Sequence, residues 1–187
     1  MTAFDKALAE TLKREGEYSN RPGDPGGETF SGVSRRRWPE WKGWSLVDAH
    51  KRNPEFPAPL YEDPDLARLV REFYLTNFWN PLRCDEFDAA TAAKLFDVAV
   101  NQGASAAIRV LQVALVIAGH GIDPDGKLGP QTIAAAAAAD KERLGPLWSA
   151  AQAGYYACLV VKVNPKLEEN LRTEDGRPGG WLNRARA

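Results

Sequence analysis

The residue with the clearest potential for acid chemistry is Glu15, at the end of a predicted amphipathic helix. At about 100° per residue, Glu15 shares one narrow stripe of that helix with Phe4, Leu8 and Leu12. This register places a carboxyl group on the face that is expected to be buried. Burial penalises the charged form, so the pKa of the carboxyl group should rise. A carboxylic acid that keeps its proton near neutral pH can act as a general acid.

A second carboxylate and a hydroxyl follow Glu15 in a glycine-rich turn. Residues 24–29 read DPGGET, which can turn the backbone so that Asp24 and Thr29 face Glu15. Two carboxyl groups in different environments are the usual catalytic groups of enzymes that cleave a glycosidic bond. Glu15 would protonate the leaving oxygen, the wetter Asp24 would orient water or stabilise positive charge, and Thr29 would hold the water. A structural interpretation stands beside this one, in which DPGG is an ordinary turn and Glu15 points into solvent.

The composition indicates a globular chain with no global preference for a polyanion. The chain has 187 residues, enough for one substantial domain, of which 44% are apolar and 26% charged. The formal net charge of −1 provides no positive field for nucleic acid, so we expect no nucleic-acid partner. One local basic run, RRR at residues 35–37, is either a solvated face or a contact to a polyanionic polymer.

The cysteines and histidines do not form a metal-binding pattern. Cys84 and Cys158 lack the spacing of a zinc site, and we expect two buried thiols, with pairing open in an oxidising compartment. His50 and His120 have no ligand partner at a useful spacing. Because the sequence also lacks the HExxH, P-loop and dinucleotide motifs, we expect neither a metal nor an organic cofactor.

The N-terminus predicts a helix directly, with no basic segment followed by an apolar core, so we expect no signal peptide. The most apolar stretches, residues 110–118 and 134–139, are too short to span a bilayer, and we expect no stable membrane insertion. The expected place of synthesis is therefore the cytoplasm.

Almost every periodic segment predicts a helix. The helical pattern covers residues 3–15, 64–79, 89–101, 105–118, 130–139 and 141–163. Asp88 and Ser105 are the predicted N-caps of the third and fourth of these helices. Residues 16–53 are predicted to be irregular, apart from a small hairpin around 29–33. The predicted fold class is mainly α, with at most a small β-hairpin.

Several segments resemble the glycoside hydrolase family 108 N-acetylmuramidases. The family pattern, Glu-Gly-Gly-Tyr and then Asp-x-Gly-Gly-x-Thr-x-x-Gly-Ile, is similar to EGEY at residues 15–18 and DPGGETFSGV at 24–33. Further similar segments are FWNPLRCD at 78–85, LFDVAVNQG at 95–103, LQ at 111–112, DGKLGPQT at 125–132 and GWLNR at 180–184. In one departure, Glu17 replaces the second glycine of the family. Either the charge of Glu17 raises the pKa of Glu15 further, or the Glu17 side chain points outward and has no effect on it.

The resemblance implies a lysozyme-like, two-lobed helical fold that forms a single globule over residues 1–187. Residues 1–85 would be the catalytic segment, and residues 86–187 would be a helical lobe similar to a peptidoglycan-binding region. The implied reaction is hydrolysis of the β-1,4 bond between N-acetylmuramic acid and N-acetylglucosamine. Glu15 carries over as the catalytic acid, and Asp24 and Thr29 carry over by similarity to the Glu/Asp/Thr arrangement of phage-type lysozymes. We expect a monomer whose partner is peptidoglycan.

Two further residues are candidates for substrate binding. Tyr18 adjoins Glu15 and offers a flat apolar face to a sugar ring. Four tryptophans could offer such faces too, although most of them are expected to anchor the core or loops, namely Trp38, Trp41, Trp44 and Trp79. Asp97 and Asn101 lie one turn apart on a predicted helix, where either Asn101 binds a sugar amide at the cleft or the pair braces the core by hydrogen bonds.

The resemblance and the missing signal peptide together favour a phage or prophage endolysin that passes through a holin pore and acts on the cell wall in the periplasm. A toxin delivered by a dedicated machine would have the same features. Two other functions stay open. A lytic transglycosylase uses a single acid and leaves an anhydro-sugar end, and the presence of Asp24 counts against it. A non-catalytic wall-binding module is disfavoured by the intact Glu15, Asp24 and Thr29.

Overall fold

A computed structural model of the chain describes residues 1–21, 27–162, 183 and 185, and for Glu15 and Lys162 it describes the backbone alone. Within these residues the chain is mainly helical, with seven α-helices and a two-stranded antiparallel sheet, which confirms the predicted fold class. The chain divides into two compact units, Met1–Arg83 and Cys84–Ala187. The arrangement of both as one lysozyme-like globule stays a prediction.

The first unit consists of three α-helices and the hairpin. They are α1 (Ala3–Glu15), β1 (Thr29–Phe30), β2 (Val33–Ser34), α2 (Gly43–His50) and α3 (Pro64–Tyr74). A 3₁₀ helix, Ala58–Tyr61, precedes α3, and a π-helical turn, Leu75–Trp79, continues it to the predicted end. The hairpin prediction is confirmed. The prediction that residues 16–53 are otherwise irregular is wrong at α2, a short helix without a side-chain N-cap whose Trp44 and Val47 are buried.

Helix α1 has well-defined ends. Thr2 and Asp5 form a capping box, in which the Thr2 hydroxyl accepts from the Asp5 N–H at 3.1 Å and the Asp5 carboxylate accepts from the Thr2 N–H at 2.9 Å. The chain leaves α1 through Gly16, whose φ of +78° is readily adopted only by glycine. The predicted helix over residues 3–15 is therefore confirmed.

Helix α3 is the element against which α1 and the hairpin are anchored. Asp63 begins α3 by accepting from the backbone N–H groups of Asp65 and Leu66. The Tyr74 hydroxyl donates to the Ser31 carbonyl at 2.8 Å, which fixes the turn of the hairpin. After α3, the ring of Trp79 meets that of Phe4 edge-to-face at 5.2 Å. Trp79 and Trp44 are buried as predicted, whereas Trp38 is 38% exposed.

The second unit contains the other four helices, α4 (Ala89–Gln102), α5 (Ala104–Ile117), α6 (Pro130–Ala138) and α7 (Lys141–Lys162). Helix α5 packs against both α4 and α7. Asp88 caps α4 as predicted and accepts from both the N–H and the hydroxyl of Thr91. The predicted cap Ser105 is wrong, because Gly103, with φ +86°, occupies the N-cap of α5 and Ser105 lies inside its first turn.

The two cysteines of the second unit differ in environment, and both thiols are free. Cys84 is buried, as expected, and burial raises the pKa of its thiol to about 12. Cys158 is exposed on α7, so the expectation of a buried thiol is wrong there. Within the described part of the chain, no helix has the length and apolarity needed to cross a bilayer.

Candidate active site

Glu15 is the last residue of α1, and its helical register continues the buried stripe of that helix. Spacings of four, three and four residues lead to it along the buried positions Phe4, Leu8 and Thr11. The stripe differs slightly from the prediction, because Thr11 is buried and Leu12 is only half-buried. Glu17 is exposed, so solvent weakens any effect of its charge on Glu15. The side chain of Glu15 lies outside the described part of the structure.

The loop that follows Glu15 is closed at its base by Ser19 and Thr29. Their backbones form an antiparallel bridge, in which Ser19 N–H donates to the Thr29 carbonyl at 2.9 Å and Thr29 N–H donates to the Ser19 carbonyl at 2.8 Å. Thr29 also pairs with Ser34 across the hairpin. Ser19 lies four positions after Glu15, which limits their Cα–Cα distance to about 14 Å. Asp24 belongs to this loop and lies outside the described residues.

A charged cluster fixes the hairpin beside this loop, and its centre is Glu28. The Glu28 carboxylate accepts a hydrogen bond from the Tyr18 hydroxyl at 3.0 Å. It also forms ion pairs of 2.8 Å with Arg35 Nε and with Lys51 Nζ. The side chain of Glu28 is only 10% exposed, so these contacts are partly shielded from water. Burial and the neighbouring Glu28 both raise the pKa of Tyr18.

Asp48 on α2 completes the cluster from the other side. Its two carboxylate oxygens accept from both terminal nitrogens of Arg35, at 2.7 and 3.1 Å, and one of them pairs with Lys51 at 2.8 Å. Arg35 and then Lys51 lower the pKa of Asp48. Arg35 also lies over the ring of Trp44, 4.4 Å from its centroid. Arg35 therefore braces the hairpin against α2, and residues 35–37 are not a uniform solvated basic face.

Tyr18 is the predicted sugar contact, and the structure places it at the edge of this cluster. Its N–H donates to the Tyr61 hydroxyl at 2.8 Å, and its ring packs edge-to-face on Phe56 at 4.7 Å. Because Glu28 occupies the hydroxyl, the half-buried ring is the part of Tyr18 that is left to meet a ligand. Its role in substrate binding stays a prediction.

Asn101 belongs to α4 in the second unit. Its Oδ1 accepts a hydrogen bond of 2.8 Å from the hydroxyl of Tyr156, and Gln152 donates to that hydroxyl at 3.3 Å. Asp97, one turn earlier, is 8% exposed. These contacts agree with the bracing interpretation of the pair, and binding of a sugar amide by Asn101 stays a prediction.

The DGKLGPQT segment of the second unit surrounds Gln112, a side chain of α5 that is 1% exposed. Gln112 Oε1 accepts from the Gly126 N–H at 2.8 Å, and its Nε2 donates to Asp125 Oδ1 and the Lys127 carbonyl at 3.0 Å. Thr132 Oγ1 lies 3.1 Å from Nε2 as well, so the two amide hydrogens are shared among three acceptors. Gln112 and its partners in the DGKLGPQT segment therefore fix the loop between α5 and α6.

The described part of the chain contains no group of three or more His, Cys, Asp or Glu side chains that could hold a metal ion. His50 is engaged differently, with its Nε2 lying 2.8 Å from Asp63 Oδ2. The hydrogen bond with His50 and the smaller effect of the backbone hydrogen bonds of the α3 cap lower the pKa of Asp63. They outweigh its partial burial, which acts to raise the pKa.

Comparison with known proteins finds two family models along the chain. A family model described as Glycosyl hydrolase 108 matches residues 8–103, just over half of the chain, and a model described as Predicted Peptidoglycan domain matches residues 106–186. The solved structure of SagA from Brucella abortus is similar, with a TM-score of 0.62 over 98% of this chain and 91% of that chain. At 22% identity this likeness concerns the fold alone. Among curated protein sequences, the comparison finds no match.

Proposed function

Since the chain belongs to the glycosyl hydrolase 108 family, we propose that it is an N-acetylmuramidase, a lysozyme that cleaves the β-1,4 bond between N-acetylmuramic acid and N-acetylglucosamine in peptidoglycan. The observation that carries the proposal is the position of Glu15 within the matched segment. It ends α1 in register with the buried stripe and directly precedes the loop closed by Ser19 and Thr29. The match of residues 106–186 to a peptidoglycan domain supports the wall polymer as substrate.

In the proposed reaction, Glu15 donates its proton to the glycosidic oxygen as the bond to the anomeric carbon breaks. The sugar acquires positive charge, which the ionised Asp24 stabilises, or Asp24 orients the attacking water with the help of the Thr29 hydroxyl. The water oxygen bonds to the anomeric carbon, and its spare proton passes to Asp24 if Asp24 orients the water, or to the ionised Glu15 if Asp24 stabilises the sugar. The register of position 15 on the apolar stripe of α1 suits a proton donor, because desolvation of a carboxyl group on that stripe would raise its pKa.

Analysis of the products tests the proposal against its alternatives. Purified peptidoglycan is digested in water labelled with heavy oxygen, and the fragments are separated and weighed by mass spectrometry. The proposal expects muramic acid at the new reducing ends, with one labelled oxygen per cleavage. Unlabelled anhydro-muramic ends would instead identify a lytic transglycosylase. Binding to peptidoglycan without any new ends would identify a non-catalytic wall-binding module.

As part of the same proposal, the protein is a monomeric endolysin that leaves the cytoplasm through a holin pore and then acts on the cell wall. The support is chemical, because the substrate polymer lies outside the cytoplasmic membrane. Expression in a bacterial host with and without an inducible holin tests this step. The proposal expects the culture to clear only when both proteins are made, and clearing without the holin would contradict it.

A further inference from the structure

The first unit carries a groove of about 320 Å³ that is lined by neither Tyr18 nor Thr29. Its floor is aromatic and consists of Trp38, Trp41 and Phe73, with Pro39 beside them. The volume lies at the lower end of the range of small-molecule sites, enough for a short ligand segment. We call this surface the Trp38 groove.

The indole of Trp38 is exposed and yet held in place. It is 38% exposed, and its ring packs edge-to-face on Phe73 at 5.0 Å, with the two planes at 87°. The Trp38 carbonyl accepts from the indole N–H of Trp44 at 2.8 Å, which fixes the backbone. The groove thus presents an ordered aromatic surface to solvent, and little conformational freedom is lost when a ligand packs on it.

Beside the indole, the groove is lined by polar groups that are available to hydrogen-bond a ligand. Arg37 and Glu40 line the groove, both are exposed, and neither side chain has an ion-pair or hydrogen-bond partner among the described residues. Asn77 donates its amide hydrogen to the Phe73 carbonyl at 2.8 Å, and its Oδ1 is left to accept. The groove therefore offers one cation, one anion and one amide oxygen beside an aromatic face.

We propose that the Trp38 groove is a second binding site for the glycan strand, in which a sugar ring stacks on Trp38. This inference rests on the proposed function. A pyranose ring has an apolar face of C–H groups, which are attracted to the electron-rich face of an indole. Its rim carries hydroxyl and acetamido groups, which match the donors of Arg37 and the acceptors of Glu40 and Asn77. Because the groove's two charges cancel, it does not favour a polyanion such as nucleic acid.

The glycan strand is a polymer, so one strand or two neighbouring strands can occupy the groove and the reaction site together. Binding at the groove then raises the effective concentration of polymer at the reaction site. An oligosaccharide too short to reach from the groove to the reaction site does not gain in this way. The groove should therefore act on the KM of the polymer more than on that of a short substrate.

Steady-state hydrolysis of soluble uncross-linked glycan strands and of a tetrasaccharide tests this with the full chain. We expect Trp38→Ala to raise KM for the strands roughly fivefold, the value of one aromatic stacking contact, and to raise KM for the tetrasaccharide much less. The double variant Arg37→Ala/Glu40→Ala removes only exposed, unpaired side chains, so it keeps the test valid if Trp38→Ala does not fold. It should also raise KM selectively for the strands.

Arg52→Ala is the matched control, because Arg52 is an exposed arginine of the same unit, outside the groove and without a described side-chain partner. We expect it to keep the wild-type KM for both substrates. Equal strand KM values for Trp38→Ala and Arg52→Ala would overturn the inference, as would equal increases for both substrates. If Glu15→Gln hydrolyses like the wild type, the proposed function fails instead, whatever the result at Trp38.

Discussion

The hydroxyl of Tyr18 donates a 3.0 Å hydrogen bond to Glu28, so the segment that follows the predicted catalytic acid is tied to the residue that precedes the hairpin. Glu28 in turn contacts two cations, Arg35 after β2 and Lys51 at the end of α2. The base of the loop that carries Asp24 is therefore held by side chains as well as by the Ser19–Thr29 bridge. This cluster has consequences for stability that can be measured.

Removal of Glu28 should destabilise the first unit. In Glu28→Ala the partly buried Arg35 and Lys51, whose side chains are 31% and 35% exposed, lose one of their two shared partners and keep only Asp48. We expect a loss of about 1–2 kcal/mol in the free energy of unfolding, below the value for a fully buried pair because water reaches both cations. Urea denaturation measures it. The exposed Glu55 is the control, and an equal loss in Glu55→Ala would contradict the role of the cluster.

Two substitutions of Tyr18 separate its hydroxyl from its ring. Tyr18→Phe removes the bond to Glu28 and should cost about 1 kcal/mol of stability, while the ring stays available to a sugar. Tyr18→Ala also removes the ring, so we expect a higher KM for glycan strands than in Tyr18→Phe. Steady-state kinetics on the two purified variants make the comparison. Identical KM values would show that the ring does not bind substrate.

Gln112 should be essential to the stability of the second unit. In Gln112→Ala the buried Gly126 N–H and Thr132 hydroxyl lose their partner, which should cost about 2–4 kcal/mol in the free energy of unfolding. Thermal and urea denaturation measure the loss. Gln131 is an exposed glutamine on α6, and Gln131→Ala should change stability by less than about 0.5 kcal/mol. Similar losses in both variants would refute a structural role for Gln112.

The cap at Asp88 predicts a pH dependence. Burial alone raises the pKa of Asp88, but hydrogen bonds from Thr91 and Lys141 outweigh it and lower the pKa from 3.8 to about 2. Because the folded pKa is the lower one, this carboxylate stabilises the fold above about pH 4 and loses its effect as the pH falls toward 2. Asp88→Ala should therefore cost about 1 kcal/mol at pH 6 and less at pH 2.

Urea denaturation at both pH values checks this prediction. Asp123→Ala, which removes an exposed carboxylate of the same unit, is the control. A cost for Asp88→Ala that does not change with pH would contradict the assignment of the cap.

Much of the fold could be predicted because its signals are local. These signals are the N-cap Asp88, the proline at the first position of α3 (Pro64), the glycine after α1 (Gly16) and the period of the apolar residues, and each lies within or next to the element that it defines. Helix α2 was missed because it has eight residues and no side-chain N-cap, so burial of Trp44 and Val47 stabilises it rather than local sequence. The hydroxyl of Ser105 predicts an N-cap there, but α5 begins two residues earlier, after Gly103, whose positive φ suits a glycine.

The site could be predicted only in part. Glu15 can be singled out because the helical period places it on the apolar stripe, and the likeness of residues 15–33 to a known family suggests the role that we propose for it. The cluster around Glu28 joins residues from the loop, the hairpin and α2, whose spacing follows no repeat. Such contacts arise from tertiary packing, so neither the periodicity of the sequence nor a motif predicts them.

The central claim is that Glu15 is the proton donor, and the release of reducing ends from purified peptidoglycan by Glu15→Gln tests it most directly. This change keeps the size of the side chain and removes its acid. We expect the rate to fall at least about 100-fold, while the melting temperature stays the same or rises. Glu17→Gln, which alters the exposed neighbouring carboxylate, should keep the wild-type rate. Release of reducing ends by Glu15→Gln at the wild-type rate would contradict the account.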